Sequence, residues 1–139
     1  MNDRMRLPQI IQGGMGIAVS NWRLARAVST AGQLGVVSGT AIDSVLVRRL
    51  QDGDPCGSVR RAMSRFPLPD VTAHVMRRFF NVDGRVQGEP YRLLPMYRQR
   101  MAPLRQQITM LASFVEVTLA KEGHDGLVGI NLLTKLQMP

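Results

Sequence analysis

The sequence predicts an α/β protein built on a parallel sheet, and two observations support that prediction. The apolar runs at residues 8–12 and 34–38 are continuous instead of alternating, which is typical of strands buried on both faces of a parallel sheet. A helical pattern lies between them, so strand, helix and strand follow one another in the chain. A parallel β-α-β unit is the economical interpretation.

Each early element has a local signal. Ser20 and Asn21 stand where a side chain can cap the first helix, residues 22–28, and Gly32 stands where that helix should end. The second strand ends in small residues, Ser38-Gly39-Thr40. A second helix is expected over residues 41–50, ahead of the breaker Asp-Gly-Asp-Pro at 52–55.

The middle of the chain is rich in arginine. Helical stretches are expected near residues 58–66 and 70–80, followed by a loop rich in glycine and proline at 82–95. We interpret residues 52–112, approximately, as a helical insertion.

The segment before the last apolar run is ambiguous. Residues 102–111 have helical spacing, whereas 114–119 alternate like a strand. The final run, 127–132, follows too closely for a parallel partner, because parallel strands need a crossover of about a dozen residues. The topology therefore favours a helix over 114–122, closed by Gly123, and a third parallel strand at 127–132. A hairpin is the alternative.

Composition limits the class of protein. Hydrophobic residues make up 45% of the 139 residues and charged residues 20%, with no apolar run of the roughly 20 residues that a membrane span needs. The N-terminal segment lacks the apolar core of a secretion signal. Cys56, the single cysteine, excludes an intramolecular disulfide and agrees with a reducing compartment. We therefore expect a cytoplasmic protein without a membrane partner.

The net charge of +8 raises the question of nucleic acid. Twelve arginines lie between Arg48 and Arg105, but at spacings of exposed helix faces and without interleaved aromatic residues. The sequence therefore argues against nucleic acid as a partner. A noncatalytic basic binding module stays open as the competing function.

The stretch Gln9-Ile-Ile-Gln-Gly-Gly-Met-Gly16 carries more glycine than a tight turn requires. It does not complete a dinucleotide fingerprint, because Val19 stands where the third glycine should be. Asn131 interrupts the last strand near its carboxyl end, where a buried amide must find hydrogen-bond partners. Either neighbouring backbone satisfies this amide or it belongs to a site.

Other candidates for chemistry are weaker. His74 lies in an arginine-rich helix, His124 lies in a Gly-His-Asp-Gly loop, and Cys56 has no evident base beside it. No histidines or cysteines have metal-ligand spacing, so no metal site is expected.

Three segments together resemble the nitronate monooxygenase family, formerly the 2-nitropropane dioxygenases, and the similar flavin-dependent enoyl-acyl-carrier-protein reductases. They are PQIIQGGMG at residues 8–16, LGVVSGT at 34–40 and VGINL at 128–132. Each resembles one of the first three barrel strands, in order.

The resemblance implies the first three β/α units of a TIM (β/α)8 barrel that binds FMN. It places Gly14, Met15 and Gly16 against the flavin ring, with Ser38, Gly39 and Thr40 on the same face and Asn131 hydrogen-bonded to the ring. The implied substrate is a small molecule, a nitronate or an enoyl thioester.

A complete barrel needs eight strands and about 250 residues, so residues 1–139 are expected to form an incomplete barrel. In the family the catalytic histidine and the phosphate-binding glycines lie further along the chain, and no catalytic residue is assigned here. We expect a fragment or truncated product, inactive by itself. Substrate choice and oligomeric state stay open.

Overall fold

A computed structural model describes residues 7–96 and 100–132. Within them, three strands and five helices form a mixed α/β fold, in the order β1 (Ile11–Gln12), α1 (Trp22–Thr30), β2 (Leu34–Ser38), α2 (Ile42–Gln51), α3 (Ser58–Met63), α4 (Pro69–Phe79), α5 (Pro103–Lys121) and β3 (Val128–Asn131). The strands lie in the order β1-β2-β3, and both pairs are parallel. The predicted α/β class and parallel sheet are confirmed.

The beginning of α1 follows from one side chain. The Asn21 side-chain oxygen accepts the backbone N–H groups of Arg23 at 3.0 Å and Leu24 at 3.3 Å. Gly32, with φ of +77°, follows the end of the helix, a conformation that glycine adopts without strain. Of the two residues predicted as caps, Asn21 takes this role and Ser20 takes another.

The two helical segments predicted between residues 102 and 122 form one helix, α5. Its buried residues recur at helical spacing along its whole length, from Arg105 and Ile108 to Leu119 and Ala120. The strand-like alternation at 114–119 spans too few residues to outweigh that pattern. The hairpin alternative is wrong, because residues 114–119 lie within α5 and form no strand.

The hydrophobic core lies between the helices and one face of the sheet. Val37 of β2 is fully buried in it, together with Leu50 of α2 and Leu111 of α5. Helix α1 packs so closely on β2 that a Cβ atom on Gly35 would lie 2.1 Å from the Ala25 carbonyl oxygen. A glycine at position 35 is therefore required by helix-strand contact.

The other face of the sheet is open among the described residues. Ile11 of β1 is 64% exposed, and β3 contains no fully buried residue. The expectation that the first two strands are buried on both faces is wrong, because β1 is largely exposed and Leu34 and Val36 of β2 are only half-buried. Across the described ranges, we find no helix with the length and apolarity needed to traverse a membrane.

Candidate functional site at the carboxyl ends of the strands

The strand ends predicted to form a site meet at one edge of the sheet. Because all three strands are parallel, the glycine loop after β1, the Gly39-Thr40 pair after β2 and Asn131 at the end of β3 lie at the same edge. The register places Ser38 of β2 beside Asn131 of β3.

Asn131 links all three strand ends. Its side-chain Nδ2 donates to the Gly14 carbonyl, and its Oδ1 accepts the Gly39 N–H at 3.4 Å. The Gly39 N–H also donates to the Asn131 main-chain oxygen at 2.8 Å. Asn131 is exposed, so the expectation of a buried amide is wrong. Neighbouring backbone satisfies this side chain, as the first of the two sequence interpretations held.

Gly14 is required by this arrangement. A Cβ atom at position 14 would lie 2.7 Å from both Asn131 Oδ1 and the Val37 carbonyl oxygen. Gly39 is equally constrained, since its Cβ would lie 2.5 Å from the Asn131 carbonyl oxygen. Close packing between strand ends therefore explains two of the glycines without any ligand. A Cβ atom on Gly13 would contact only the Met15 side chain, at 3.9 Å, so packing does not require a glycine at position 13.

Two serines hold the loop after β1. The Ser38 hydroxyl donates to the Met15 carbonyl at 3.2 Å, and the Ser20 oxygen accepts the Met15 N–H at 3.3 Å. The Ser20 N–H in turn donates to the Gly16 carbonyl at 2.9 Å. Because its main chain is held on both sides, Met15 presents its side chain to solvent with 86% exposure.

The seven predicted site residues therefore lie together but differ in accessibility. Met15, Gly16 and Asn131 are exposed and Thr40 is half-buried. Gly14, Ser38 and Gly39 are buried. The Ser38 hydroxyl serves the loop main chain, so this residue supports the edge and does not line it.

Gln12 also supports this edge, although no sequence pattern predicted it. Its side-chain Oε1 accepts the Val36 N–H and its Nε2 donates to the Val36 carbonyl, both at 3.2 Å. The Gln12 carboxamide thus makes hydrogen bonds to β2 in place of the β1 main chain, beyond the point where that main chain turns away from β2. A glutamine at the end of a strand gives no distinctive sequence signal. The position of Ser20 just before a helix indicated a helix cap and gave no sign that Ser20 holds the loop after β1.

This edge carries no charged side chain among the seven residues. His124 lies in the loop before β3, where its Nδ1 accepts the Gly126 N–H at 3.1 Å and its Nε2 lies 2.6 Å from the Ala120 carbonyl. The loop interpretation therefore accounts for this histidine. Among the described residues, no three histidine, cysteine or acidic side chains are grouped to hold a metal.

Cys56 lies away from this edge, at the beginning of α3. Its Sγ is 3.0 Å from the Ser58 hydroxyl, and this side-chain hydrogen bond lowers the pKa of the thiol. The thiol borders a cleft of about 220 Å³ between α1, α2 and α3.

Comparisons with family models, curated proteins and solved structures found no match to this chain.

Proposed function

We propose that the carboxyl edge of this sheet is the flavin-facing part of an FMN-dependent oxidoreductase of the nitronate monooxygenase type. The supporting observation is the interlocking of Gly14, Gly39 and Asn131, which brings the three strand ends into one continuous surface. The strands follow one another in the order that the resemblance requires.

The donors at this edge fit a flat ring that carries hydrogen-bond acceptors. No hydrogen bond to a described residue is found for the backbone N–H groups of Gly16, which is exposed, and Gly14, which is buried. The exposed Met15 side chain offers an apolar, polarisable surface beside them. FMN, when bound, supplies one- or two-electron transfer, and the residues of this chain orient the ring and tune it through main-chain dipoles.

The open face of the sheet supports a barrel as the complete architecture. Parallel strands occur almost only where both faces are covered, and in a (β/α)8 barrel the second face is the packed interior. In this proposal residues 1–139 contribute three of eight units, with a helical insertion at about 52–112. The substrate is a nitronate, and an enoyl thioester is the alternative within the same family.

The chain by itself is expected to bind FMN negligibly at this edge. Such barrels hold the phosphate through late loops and a helix N-terminus, and each charge-assisted hydrogen bond contributes about 1.5–3 kcal/mol. Since each 1.4 kcal/mol is tenfold, loss of several bonds weakens binding by orders of magnitude. Micromolar FMN affinity accompanied by shifts of the Gly14 and Gly16 amide signals would contradict this account of the site.

Contact between this edge and the flavin ring is tested separately with lumiflavin, which has the ring but no phosphate. In an amide NMR titration of the 139-residue chain, we expect millimolar lumiflavin to shift the signals of Gly14, Gly16 and Gly39. Gly32 and Gly88 are matched controls, because both lie in turns with open space around them. Unchanged signals at the strand ends, or equal shifts at the two controls, would reject the flavin-facing role.

The competing basic binding module finds less support in the arrangement of charge. Arginines 49, 60, 61, 65, 85 and 105 each form a salt bridge with a carboxylate of the chain itself. Six of the twelve arginines between Arg48 and Arg105 are thus engaged within the chain, which weakens the argument for an extended polyanion partner without removing the net charge of +8.

A further inference from the structure

A second, strongly basic cleft lies at the far end of α2 from the flavin-facing edge. It has a volume of about 530 Å³ and is formed by the last turn of α4 and the loop at residues 80–92. Four arginines line it: Arg77, Arg78, Arg85 and Arg92. The 10 residues of α2 separate the two regions by roughly 15 Å.

One side of the cleft is fixed by Gln51. Its Nε2 donates to the Arg92 carbonyl at 3.2 Å, and its Oε1 accepts the Arg92 N–H at 2.7 Å. Gln51 is 9% exposed and also donates to the Val47 carbonyl, so its orientation is set by its own helix. The main chain of Arg92 is therefore anchored at the end of α2.

Arg85 is held on the same side. Its Nε lies 3.4 Å from Asp52 Oδ1, while the Tyr91 hydroxyl donates to Asp52 Oδ2 at 2.8 Å. The Arg85 guanidinium carbon lies 4.1 Å from the centroid of the Tyr91 ring, and its side chain is only 22% exposed. This packing reduces the entropy that the side chain would lose on binding a ligand.

The loop that carries these residues is joined to the helices through its own main chain. The Asn81 N–H donates to the Leu50 carbonyl at 3.1 Å, and Asn81 Oδ1 accepts the Asp83 N–H at 3.2 Å. Gly53 and Gly84 pack against each other at these turns, where a Cβ on Gly53 would lie 3.2 Å from Gly84 Cα. The cleft is thus a built feature of the fold.

The charges in the cleft do not cancel. Arginines 77, 78, 85 and 92 bring four positive charges, and Asp52 and Glu89 bring two negative charges, which leaves a difference of two. Neither Arg77 nor Arg78 forms a salt bridge with any described residue. A dianion balances this charge, and guanidinium groups match phosphate oxygens in geometry.

We propose that this cleft binds a small phosphate monoester. Its volume falls within the range of about 300–1,000 Å³ typical of small-ligand sites and exceeds what a lone phosphate fills. The site is separate from the flavin-facing edge and does not depend on the function proposed for that edge.

The test uses three probes on the 139-residue chain in a phosphate-free buffer of low ionic strength. AMP represents a phosphate monoester, inorganic phosphate represents the free anion, and adenosine lacks the charge. We expect AMP to bind saturably, inorganic phosphate to bind more weakly and adenosine not to bind. Absence of saturable AMP binding at millimolar concentration, or binding of inorganic phosphate alone, would overturn the proposal.

Matched variants separate a site from general charge. The double variant Arg77→Gln/Arg78→Gln is expected to weaken AMP binding at least about tenfold, since it removes two of the three cleft guanidinium groups that form no salt bridge with a described residue. The variant Arg23→Gln is the control, because Arg23 is an exposed arginine of α1 that stacks on Trp22, outside the cleft. An equal loss in the control would show nonspecific attraction.

The same spectra distinguish this proposal from the flavin proposal. AMP is expected to shift the amides of Gly84 and Gly88 in the loop that borders the cleft, and lumiflavin those of Gly14 and Gly16. If AMP shifts the Gly84 and Gly88 signals but lumiflavin leaves Gly14 and Gly16 unchanged, the phosphate site is retained and the flavin-facing role is rejected. The opposite pattern retains the flavin-facing role and rejects the phosphate site.

Discussion

Replacing Arg105 by methionine is expected to destabilise the protein more than any exposed arginine replacement. Arg105 Nε lies 2.6 Å from Asp43 Oδ2, and the side chains are 6% and 0% exposed. Arg105 belongs to α5 and Asp43 to the first turn of α2, so this pair joins two core helices. Removal of the guanidinium takes this positive charge away from a fully buried carboxylate.

The size of the effect follows from that burial. Breaking one half of a buried ion pair costs about 3–5 kcal/mol, a large part of the roughly 5–15 kcal/mol that stabilises a domain. An unfolding entropy of about 2.1 cal/mol/K per residue over 139 residues converts this cost into a fall in Tm of about 10–17 °C. The variant Asp43→Asn/Arg105→Met, which removes both charges, is expected to lose less.

Urea unfolding followed by circular dichroism measures these differences, with an unchanged m-value as the check that both states keep their compactness. Arg61→Met is the control, because the Arg61 side chain is 49% exposed and a solvent-exposed ion pair such as the one with Glu122 contributes little to stability. A loss for Arg105→Met no greater than for the control would refute the reasoning. A double variant less stable than Arg105→Met would refute it as well.

Two further outcomes are expected. Gly35→Ala should lower the free energy of unfolding by about 1–3 kcal/mol or more, because the added Cβ would collide with Ala25. Gly129→Ala is the control, because a Cβ there would lie at an ordinary 3.5 Å from its nearest atom. Equal thermal stability of the two variants would contradict this prediction. The hydrogen bond from Arg61 lowers the pKa of Glu122, so the stability that Glu122 contributes is present above pH 4.5 and disappears as the pH falls below it. The difference in free energy of unfolding between the unmodified protein and Glu122→Gln should therefore shrink in acid. A difference that grows as the pH falls would contradict the lowered pKa of Glu122.

Local signals in the sequence were sufficient for most of the secondary structure. The second strand was predicted over residues 34–38 and lies at Leu34–Ser38, since a continuous apolar run between glycines is a strong strand signal. Residues 114–122 were predicted to be helical because they lie too close in the chain to residues 127–132 for both segments to be parallel strands. The last run was therefore predicted to be the third parallel strand of the sheet. These inferences need only neighbouring residues and the geometry of crossovers.

The sequence predicted that the three strand ends meet at one edge, but not how they contact one another there. The carboxyl ends of parallel strands must share an edge, so Gly14, Gly39 and Asn131 were expected together. Their accessibility was not predictable, since it depends on whether anything covers the open face of the sheet. The role of Gln12 in extending the ladder depends on where β1 turns, which periodicity does not encode.

The sequence by itself determined the α/β class, the order of elements and the edge at which a site can form. These depend on patterns within a few residues and on the limited ways of connecting parallel strands. Only the tertiary structure decided that Asn131 reaches Gly14 across 117 positions and that Arg105 pairs with Asp43 across 62. Such contacts depend on how helices and strands pack to within an ångström, and no local propensity specifies that distance.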